Sequence, residues 1–404
     1  MKRFPSPDGS SIPLERAAEI GSGLTKGRKL NGELVEDTPY LRVANVQDGF
    51  LDLSQIKSIP ASKRDRERYA LRIGDLLMTE GGDPDKLGRA AIWGGEVPGC
   101  LHQNHVFRVR PKQEKFLPGY LAALMGSPYG KSYFLKVAKR TTGIASINRT
   151  QLGAFPVPIR TPDEQRRIVD LLERAAGIRR LREQALAKAR AIVPALFLDM
   201  FGDPASNPKG WRVATVDDVA DIQGGLQVSA KRASLPLTRP YLRVANVLRD
   251  RLELSEIKEI RLTPAECART LLQADDLLVV EGHGNPMEIG RVAVWDGSIP
   301  ECVHQNHLIR IRPDKTQVVS SYLCALMNSA SGRQSLLRAG KTTSGLNTIS
   351  TSNVRAVPLP LPPLKLQTSF VERLADLRSI IVQQEHSLAA ARELERSLMA
   401  RLLG

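Results

Sequence analysis

One short motif, present twice, holds the residues with the clearest chemical potential. Cys-x-His-x-x-His occurs at Cys100, His102 and His105, and again at 302, 304 and 307. Cysteine and histidine are common zinc ligands. However, each copy leads directly into an alternating strand pattern such as VFRVR, where side chains three residues apart point to opposite faces. We therefore expect a structural role for the motif and no metal site.

Other patterns that could indicate catalysis are incomplete. The chain has neither a glycine-rich cofactor loop after a strand nor the NPPY-like tetrapeptide of adenine methyltransferases. RAGKTT at 338–343 has the ending of a phosphate-binding loop, but Ser335 occupies the position of its first glycine. DPDK at 83–86 offers two carboxylates, whereas the second copy reads HGNPM. We expect no catalytic residue and no cofactor in this chain.

The charge of the chain favours an anionic partner. Its 404 residues include 58 Lys and Arg against 43 Asp and Glu, a formal charge of +15. Such a field attracts a polyanion, and nucleic acid is the leading candidate. The four cysteines form no CxxC pair, and the N-terminus lacks an apolar signal segment. These features predict a reduced, cytoplasmic protein without a membrane span.

The chain is a tandem duplication. YLRVANV occurs at 40–46 and again at 241–247. The match extends to LGRAAIWGGEVPGCLHQNHVFRVRP (87–111) and IGRVAVWDGSIPECVHQNHLIRIRP (289–313), with about half of the positions identical. The copies span about 12–200 and 211–404. Each copy is therefore the size of a domain, not of a solenoid repeat.

Each copy ends in a long helical pattern. A proline-rich segment, which we call the exit, ends the strand-like part of each copy, at 155–162 and at 357–364. After each exit, apolar residues recur at alternating steps of three and four, as in a coiled-coil helix. The expected seam positions are Ile168, Leu171, Ala175, Ile178, Arg182, Ala185, Ala189, Ile192 and Leu196, then Phe370, Leu374, Leu377, Ile381, Gln384, Leu388, Ala391, Glu395, Leu398 and Leu402. A 35-residue helix spans roughly 50 Å. We expect the two helices to pair as an antiparallel coiled coil; the alternative is that each covers only its own domain.

These patterns predict an α+β fold with pseudo-twofold duplication. Residues 1–160 form one recognition domain of mixed α/β structure, and 161–200 form a spacer helix. Residues 201–361 form a linker and a second recognition domain, and 362–404 form the second spacer helix. Two such domains on one spacer suit duplex DNA read at two half-sites.

The order of elements resembles the specificity subunits of type I restriction-modification systems. The matching features are LPLPPLKLQ (359–367), PVPIRTPDEQRRIV (156–169), the GDLL and GR segments before HQNH, and the linker LFLDMFGDPASNPKGW (196–211). The resemblance covers essentially the whole chain. It departs from the family pattern at the first exit, where Arg160 and Thr161 replace Pro362 and Pro363. That departure affects the local turn and leaves the architecture intact.

The resemblance implies a non-catalytic subunit that recognises a bipartite, asymmetric or near-symmetric DNA target. Its partners would be double-stranded DNA, two methyltransferase subunits and, in the full complex, two nuclease and translocase subunits. S-adenosylmethionine would bind the methyltransferase, which methylates adenine N6, and ATP and Mg would bind the nuclease subunit. The alternative is an autonomous DNA-binding or scaffold protein that dimerises through its coiled coil.

Candidate DNA contacts lie in three pairs of loops that combine basic or amide side chains with glycine, around HQNH, and in YLRVANV. Lys and Arg suit phosphates, while Arg, Asn and Gln suit base edges. The candidates are Lys26, Arg28, Lys29, Arg42, Asn45, Lys86, Arg89, Lys139, Arg140, Thr141, Thr142, Arg149, Gln227, Lys231, Arg232, Arg243, Asn246, Asn285, Arg291, Lys341, Thr342 and Thr343. The similarity of the copies predicts two similar half-sites in inverted orientation.

Overall fold

The computed structural model describes residues 10–27, 34–83, 87–112, 114–141, 144–339, 341–343 and 346–403. The chain divides into two compact units. Unit 1 contains residues 1–183 and 386–404, and unit 2 contains residues 184–385. Each unit therefore includes part of both long helices.

Unit 1 is a mixed α/β domain. Its strands are β1 (Ser11–Pro13), β2 (Ala18–Ser22), β3 (Val35–Leu41), β4 (Lys57–Ser62), β5 (Leu76–Thr79), β6 (Gly81–Gly82), β7 (Ala90–Ile92), β8 (Leu101–His102), β9 (Val106–Pro111), β10 (Lys139–Thr141), β11 (Ile144–Ser146) and β12 (Pro156–Pro158). Its helices are α1 (Leu14–Ala17), α2 (Lys63–Tyr69), α3 (Pro118–Gly126), α4 (Pro128–Val137), α5 (Arg149–Gly153) and the first part of α6 (Pro162–Phe201).

The strands of unit 1 form small sheets. The largest has the order β2-β9-β5-β7, and two three-stranded sheets have the orders β4-β3-β8 and β10-β11-β6. A two-stranded sheet, β1-β12, closes the domain. β5 reads LLMT and is buried at every position, as expected for a central strand. The main core lies between the four-stranded sheet and helices α3, α4 and α6.

Unit 2 repeats this arrangement. Its strands are β13 (Arg212–Thr215), β14 (Ala220–Gly224), β15 (Leu237–Leu242), β16 (Val247–Leu248), β17 (Arg251–Leu252), β18 (Lys258–Leu262), β19 (Leu277–Val280), β20 (Gly282–His283), β21 (Val292–Val294), β22 (Val303–His304), β23 (Leu308–Pro313), β24 (Lys341–Thr343), β25 (Leu346–Thr348) and β26 (Pro358–Leu361). Its helices are α7 (Pro264–Thr270), α8 (Ser320–Asn328), α9 (Ala330–Ala339), α10 (Thr351–Arg355) and the first part of α11 (Leu364–Leu403). The sheets β14-β23-β19-β21, β18-β15-β22, β20-β25-β24 and β13-β26 match those of unit 1.

Segments of α6 and α11 pair in antiparallel fashion within each unit. In unit 1, Arg179 contacts Glu395 (2.7 Å) and Arg392 contacts Glu183 (3.1 Å). In unit 2, the rings of Phe197 and Phe201 lie 5.9 and 5.4 Å from the ring of Phe370. Residue numbers rise along one helix as they fall along the other. The predicted α+β class with antiparallel helix pairing is confirmed.

Several residues that were predicted on the buried seam of α11 are buried. On α6, several of the predicted seam residues are exposed. Phe370, Leu374, Leu388 and Ala391 are buried as expected. By contrast, Ile178 and Ile192 are 44% and 47% exposed. Ile168, Ala175 and Ala189 of α6 are buried as predicted, and other buried positions include Leu172, Leu186 and Phe197. Leucines at both 171 and 172 make two seams compatible with the spacing, and packing selects the second.

A buried glutamine fastens each long helix to its domain. Gln367 is fully buried; its Oε1 accepts the N–H of Val319 (2.8 Å), and its Nε2 donates to the carbonyl of Pro362 (2.9 Å). Gln165 accepts the N–H of Leu117 (2.8 Å) in the same way. The glutamine after each proline-rich exit therefore fixes the start of the helix.

The predicted segment boundaries at 160, 200 and 361 stay predictions, since the two compact units each combine parts of several segments. No helix in the described ranges combines the length and the apolar character that a membrane crossing requires.

Replacing Gln367 with Leu should lower the free energy of unfolding of unit 2 by about 3 kcal/mol, because the N–H of Val319 and the carbonyl of Pro362 lose their buried partner. Urea denaturation followed by tryptophan fluorescence measures this. Gln383→Leu, at an exposed position of the same helix, is the matched control and should change stability by less than about 0.5 kcal/mol. Equal losses in both variants would contradict the role of Gln367.

Candidate nucleic-acid interface

In unit 1, the HQNH segment (102–105) is a main-chain junction for the predicted DNA loops. The N–H of Leu24 in the first loop donates to the carbonyl of His102 (2.8 Å), and the carbonyl of Leu24 accepts from Asn104 (3.1 Å). The N–H of Gln103 donates to Leu41 of YLRVANV (2.9 Å). These bonds hold the first loop and YLRVANV against one segment, which we call the hub.

The second and third predicted loops meet in a single small sheet beside the hub. β6, from the second loop, pairs with β11, and β11 pairs with β10 of the third loop. The N–H of Glu80, just before β6, donates to the carbonyl of His105 (3.0 Å). The structure therefore brings together three loops that are more than 100 residues apart at their extremes.

Unit 2 builds the same junction at residues 304–307. Leu226 donates to His304 (2.9 Å) and accepts from Asn306 (2.9 Å). Gln305 donates to Leu242 (2.9 Å), and Glu281 donates to His307 (3.0 Å). The HQNH segment therefore makes the same main-chain bonds in both units.

A glycine permits the close approach of the first loop to the hub. A Cβ atom on Gly23 would lie 2.0 Å from the carbonyl oxygen of His102, and one on Gly225 would lie 2.3 Å from that of Gln305. Both obstacles are main-chain atoms, which cannot turn aside as a side chain would. Any other residue at these two positions must displace the loop from the hub.

The first histidine of each motif is a buried, neutral structural residue. Nδ1 of His102 lies 2.8 Å from the carbonyl oxygen of Val106 and donates to it. Burial lowers the pKa of His102 to about 4, and the pKa of His304 to about 4 as well. Near neutral pH both rings are uncharged, as their full enclosure requires.

The second histidine has a different environment. Nδ1 of His105 lies 2.7 Å from a carboxylate oxygen of Glu80, and His307 lies 3.6 Å from Glu281. Both imidazole rings are more than half exposed. Within the described part of the chain, no three His, Cys, Asp or Glu side chains come together as a group that could hold a metal ion.

Comparisons with known proteins agree with this arrangement. A model of the type I restriction modification DNA specificity domain matches residues 208–390. The type I restriction enzyme StySPI specificity subunit of Salmonella potsdam is 24% identical over 427 positions, which cover 99% of this chain and 90% of that protein. The EcoKI specificity subunit of Escherichia coli K12 is 23% identical over 436 positions, covering 98% and 88%. Over nearly its whole length, the chain is therefore similar to specificity subunits of type I restriction enzymes.

A solved structure from a type I restriction-modification system has the same fold as this chain. It aligns with a TM-score of 0.65 at 16% identity, covering 98% of this chain and 97% of the other. The duplicated architecture therefore extends to proteins with little remaining sequence similarity.

Seven of the predicted DNA-contact residues have exposed side chains. In unit 1 they are mainly basic, and in unit 2 they include two amides. They are Lys26, Lys139, Arg140 and Arg149, then Gln227, Lys231 and Asn285. These residues are available to a ligand, and their DNA contacts stay predictions.

Other predicted contact residues are already engaged within the chain. The amide of Asn45 is buried; it donates to the carbonyl of Asp52 (2.8 Å) and accepts the N–H of Arg42 (2.9 Å). Asn246 makes the equivalent bonds to Glu253 and Arg243. These bonds brace the turn that follows YLRVANV, so the two asparagines have a structural role.

The predicted arginines outside these exposed groups are also held by neighbours. Arg42 donates to the carbonyl of Gln55 (3.3 Å), and Arg89 donates to the side chain of Gln47 (2.8 Å). The partners of the other three are carboxylates: Arg232 with Glu266 (2.9 Å), Arg243 with Glu256 (2.8 Å) and Arg291 with Glu288 (2.8 Å). A DNA contact by these three would compete with an ion pair.

The remaining predicted residues are described only in part. The main chains of Thr141, Lys341, Thr342 and Thr343 lie in the hairpins β10–β11 and β24–β25. Arg28, Lys29, Lys86 and Thr142 lie outside the described residues. The sequence-based list omitted one group, the basic residues of α2, although the run KRDRER is visible in the sequence.

Replacing Gly23 with Ala should destabilise unit 1 by about 2 to 3 kcal/mol, because the new Cβ overlaps main-chain atoms of the hub. Thermal unfolding measures the loss, and faster amide hydrogen exchange at Leu24 and Asn104 would locate it. The control is Gly177→Ala in α6, where a Cβ meets open space and should stabilise the helix by up to about 1 kcal/mol. Unchanged exchange in Gly23→Ala would contradict this account.

Acidification should destabilise the protein through its buried histidines. In the folded state the pKa of His102 is about 4, below the ordinary 6.5. The stability that the folded chain gains from keeping the His102 ring neutral is therefore fully present above pH 6.5. It is lost as the pH falls from 6.5 towards 4. From neutral pH to about pH 5 the loss should be about 2 kcal/mol for each such histidine.

The pH dependence can be assigned by substitution. Denaturant unfolding across this pH range should show a weaker dependence in His102→Asn, whereas His105→Gln, at an exposed position, should behave like the wild type. An unaltered pH dependence in His102→Asn would show that another group is responsible.

Proposed function

We propose that this chain is the non-catalytic recognition subunit of a type I restriction-modification complex and binds a bipartite duplex DNA target. The observation that carries the proposal is the hub, which is built twice with the same main-chain bonds and gathers the three loops in each unit. Each unit would read one half-site. The formal charge of +15 supports a polyanionic ligand.

The two units would use different side chains for the same task. Exposed Lys26, Arg140 and Arg149 of unit 1 suit phosphates or guanine, since lysine and arginine are donors only. Exposed Gln227 and Asn285 of unit 2 suit adenine, which offers both a donor and an acceptor in the major groove. The hub would set the position of these loops, and their side chains would set the bases that are read.

We also propose the partners and cofactors of the complex. Two methyltransferase subunits would bind this chain and methylate adenine N6 with S-adenosylmethionine, and two nuclease and translocase subunits would use ATP and Mg. The relatives are named as specificity subunits of restriction enzymes, which supports a division of labour between subunits. The complex would act in the cytoplasm, where its DNA substrate is.

The alternative, an autonomous DNA-binding or scaffold protein that dimerises through its coiled coil, has less support. Within each unit, apolar residues of α6 and α11 belong to one core: Leu172 with Leu403 in unit 1, and Phe197 with Phe370 in unit 2. A seam that is covered within one chain gives a second copy little apolar surface to bury.

Co-expression with a type I methyltransferase subunit from the same genome, followed by single-molecule sequencing of methylated adenines, tests the function. We expect a split motif with two similar halves in inverted orientation, because the two copies share about half of their residues over the matched segment. Exchanging residues 12–155 should change one half of the motif, and exchanging 211–357 should change the other.

The outcomes separate the parts of the proposal. Two unrelated half-sites would refute their similarity and leave the bipartite recognition intact. Absence of both a complex and methylation would refute the function and favour the autonomous DNA-binding protein. The matched control is an exchange within 212–215, the strand β13, which lies away from the hub in the sheet β13-β26; it should leave the motif unchanged.

A further inference from the structure

The two units differ sharply in charge on one short helix. Residues 63–72 of unit 1, which contain α2, carry five basic and two acidic side chains, a formal charge of +3. The aligned residues 264–273 of unit 2, which contain α7, carry one of each and are neutral. The difference stands out because the hub beside these helices is the same in both units.

The basic side chains of unit 1 are directed mostly to solvent. Lys63, Arg64, Arg68 and Arg72 are exposed, whereas Arg66 forms an ion pair with Glu36 (2.6 Å). Arg64 and Arg68 are four residues apart and therefore lie on the same face of α2. Two like charges at this spacing destabilise a helix. Arg68 lies in the last turn of α2 and 5.4 Å from the centre of the Tyr69 ring, which favours its charge. The repulsion between Arg64 and Arg68 stays unrelieved within the unit, and an anionic ligand would relieve it.

The position of α2 places these charges at the border of the predicted DNA surface. β3 and β4 pair so that Val35 lies opposite Ser62, the residue before α2. Val35 is also the first strand residue after the loop that contains Lys26. On its other side, α2 contacts β8, whose second residue is His102 of the hub. The charges are thus next to the first loop and to the hub.

Unit 2 lacks such a surface for a specific reason. Arg232, which lies over α7, donates through both terminal nitrogens to Glu266 (2.9 and 3.1 Å) and holds the pKa of that carboxyl at about 2. Its charge is therefore neutralised within the unit. Lys63, Arg64 and Arg72 correspond to Pro264, Ala265 and Gln273, which are uncharged. The fourth position keeps a basic residue, Arg269, which donates to the carbonyl of Gly224 (3.2 Å).

We propose that Lys63, Arg64, Arg68 and Arg72 form an anchor for DNA phosphates that exists only in unit 1. This inference rests on the proposed function and adds to it an asymmetry: unit 1 holds the backbone next to its half-site, and unit 2 has no equivalent. Phosphate contacts position a protein and carry no sequence information. The anchor therefore strengthens binding to every sequence and leaves the preference for the target unchanged.

The test is DNA binding by the full chain, measured by fluorescence anisotropy over a series of salt concentrations, on a target duplex and on a mixed-sequence duplex. The variant combines K63Q, R64Q and R68Q. Each lost phosphate contact should reduce the slope of log affinity against log salt by about 0.9, hence roughly 2.7 for three contacts. The ratio of the two affinities should stay constant.

The matched control combines R16Q, K112Q and K115Q, three exposed residues of unit 1 outside α2 and the hub. It removes the same net charge, so an equal change of slope in both variants would overturn the anchor. An unchanged slope in the α2 variant would also overturn it, as would loss of methyltransferase binding with intact DNA binding. If the wild-type chain fails to bind either duplex, the proposed function falls together with the anchor.

A gain-of-function variant covers the case in which the α2 variant fails to fold. A265R and Q273R place charges at exposed positions of unit 2 that match Arg64 and Arg72. They should make the salt slope steeper by roughly 1 to 2 through new phosphate contacts. A slope equal to that of the wild type would contradict the view that this position faces the DNA backbone.

Discussion

The main-chain bonds of the HQNH segment are the constraint on which the rest of each unit depends. Leu24, Leu41 and Glu80 come from separate parts of the chain, and each bonds to this one segment. Buried N–H and carbonyl groups must find partners, so the segment fixes the positions of all three neighbours at once. Residue 23 must be a glycine for this junction to form, because a Cβ atom there would overlap the carbonyl oxygen of His102. The sequences of the loops can then differ between the two units while the main-chain bonds of the hub stay the same.

Buried polar side chains extend the same principle. His102 is enclosed as a neutral ring, Asn45 braces the turn after YLRVANV, and Gln165 fastens the long helix. Asn246 and Gln367 make the equivalent bonds in unit 2. His304 is also buried, but its ring bonds to the carbonyls of Thr270 and Gln223. A buried polar group that lacks a hydrogen-bond partner costs free energy. The surrounding backbone is therefore held in the one arrangement that supplies those partners. The identical residues of the two copies are explained mainly by this internal bonding.

Charge, in contrast, differs between the copies because solvent tolerates it. Surface substitutions rarely change stability by much, so the neutral α7 and the basic α2 can cap the same fold. The proposed phosphate anchor would account for the basic side chains of α2. The two units of a duplicated fold can thus contribute unequally to ligand binding while their cores stay the same.

The sequence by itself determined the duplication, the helix pairing and the resemblance to type I specificity subunits, because these depend on repeated segments and on apolar spacing. Tertiary structure decided which residues of those patterns are buried. Leu171 and Leu172 fit alternative seams equally well, and only packing in the core chose Leu172. Likewise Asn45 and Gln227 are both amides in predicted DNA segments, yet one is buried and one exposed. Residue type states what a side chain can bond to, and the fold decides whether that partner lies inside the chain or outside it.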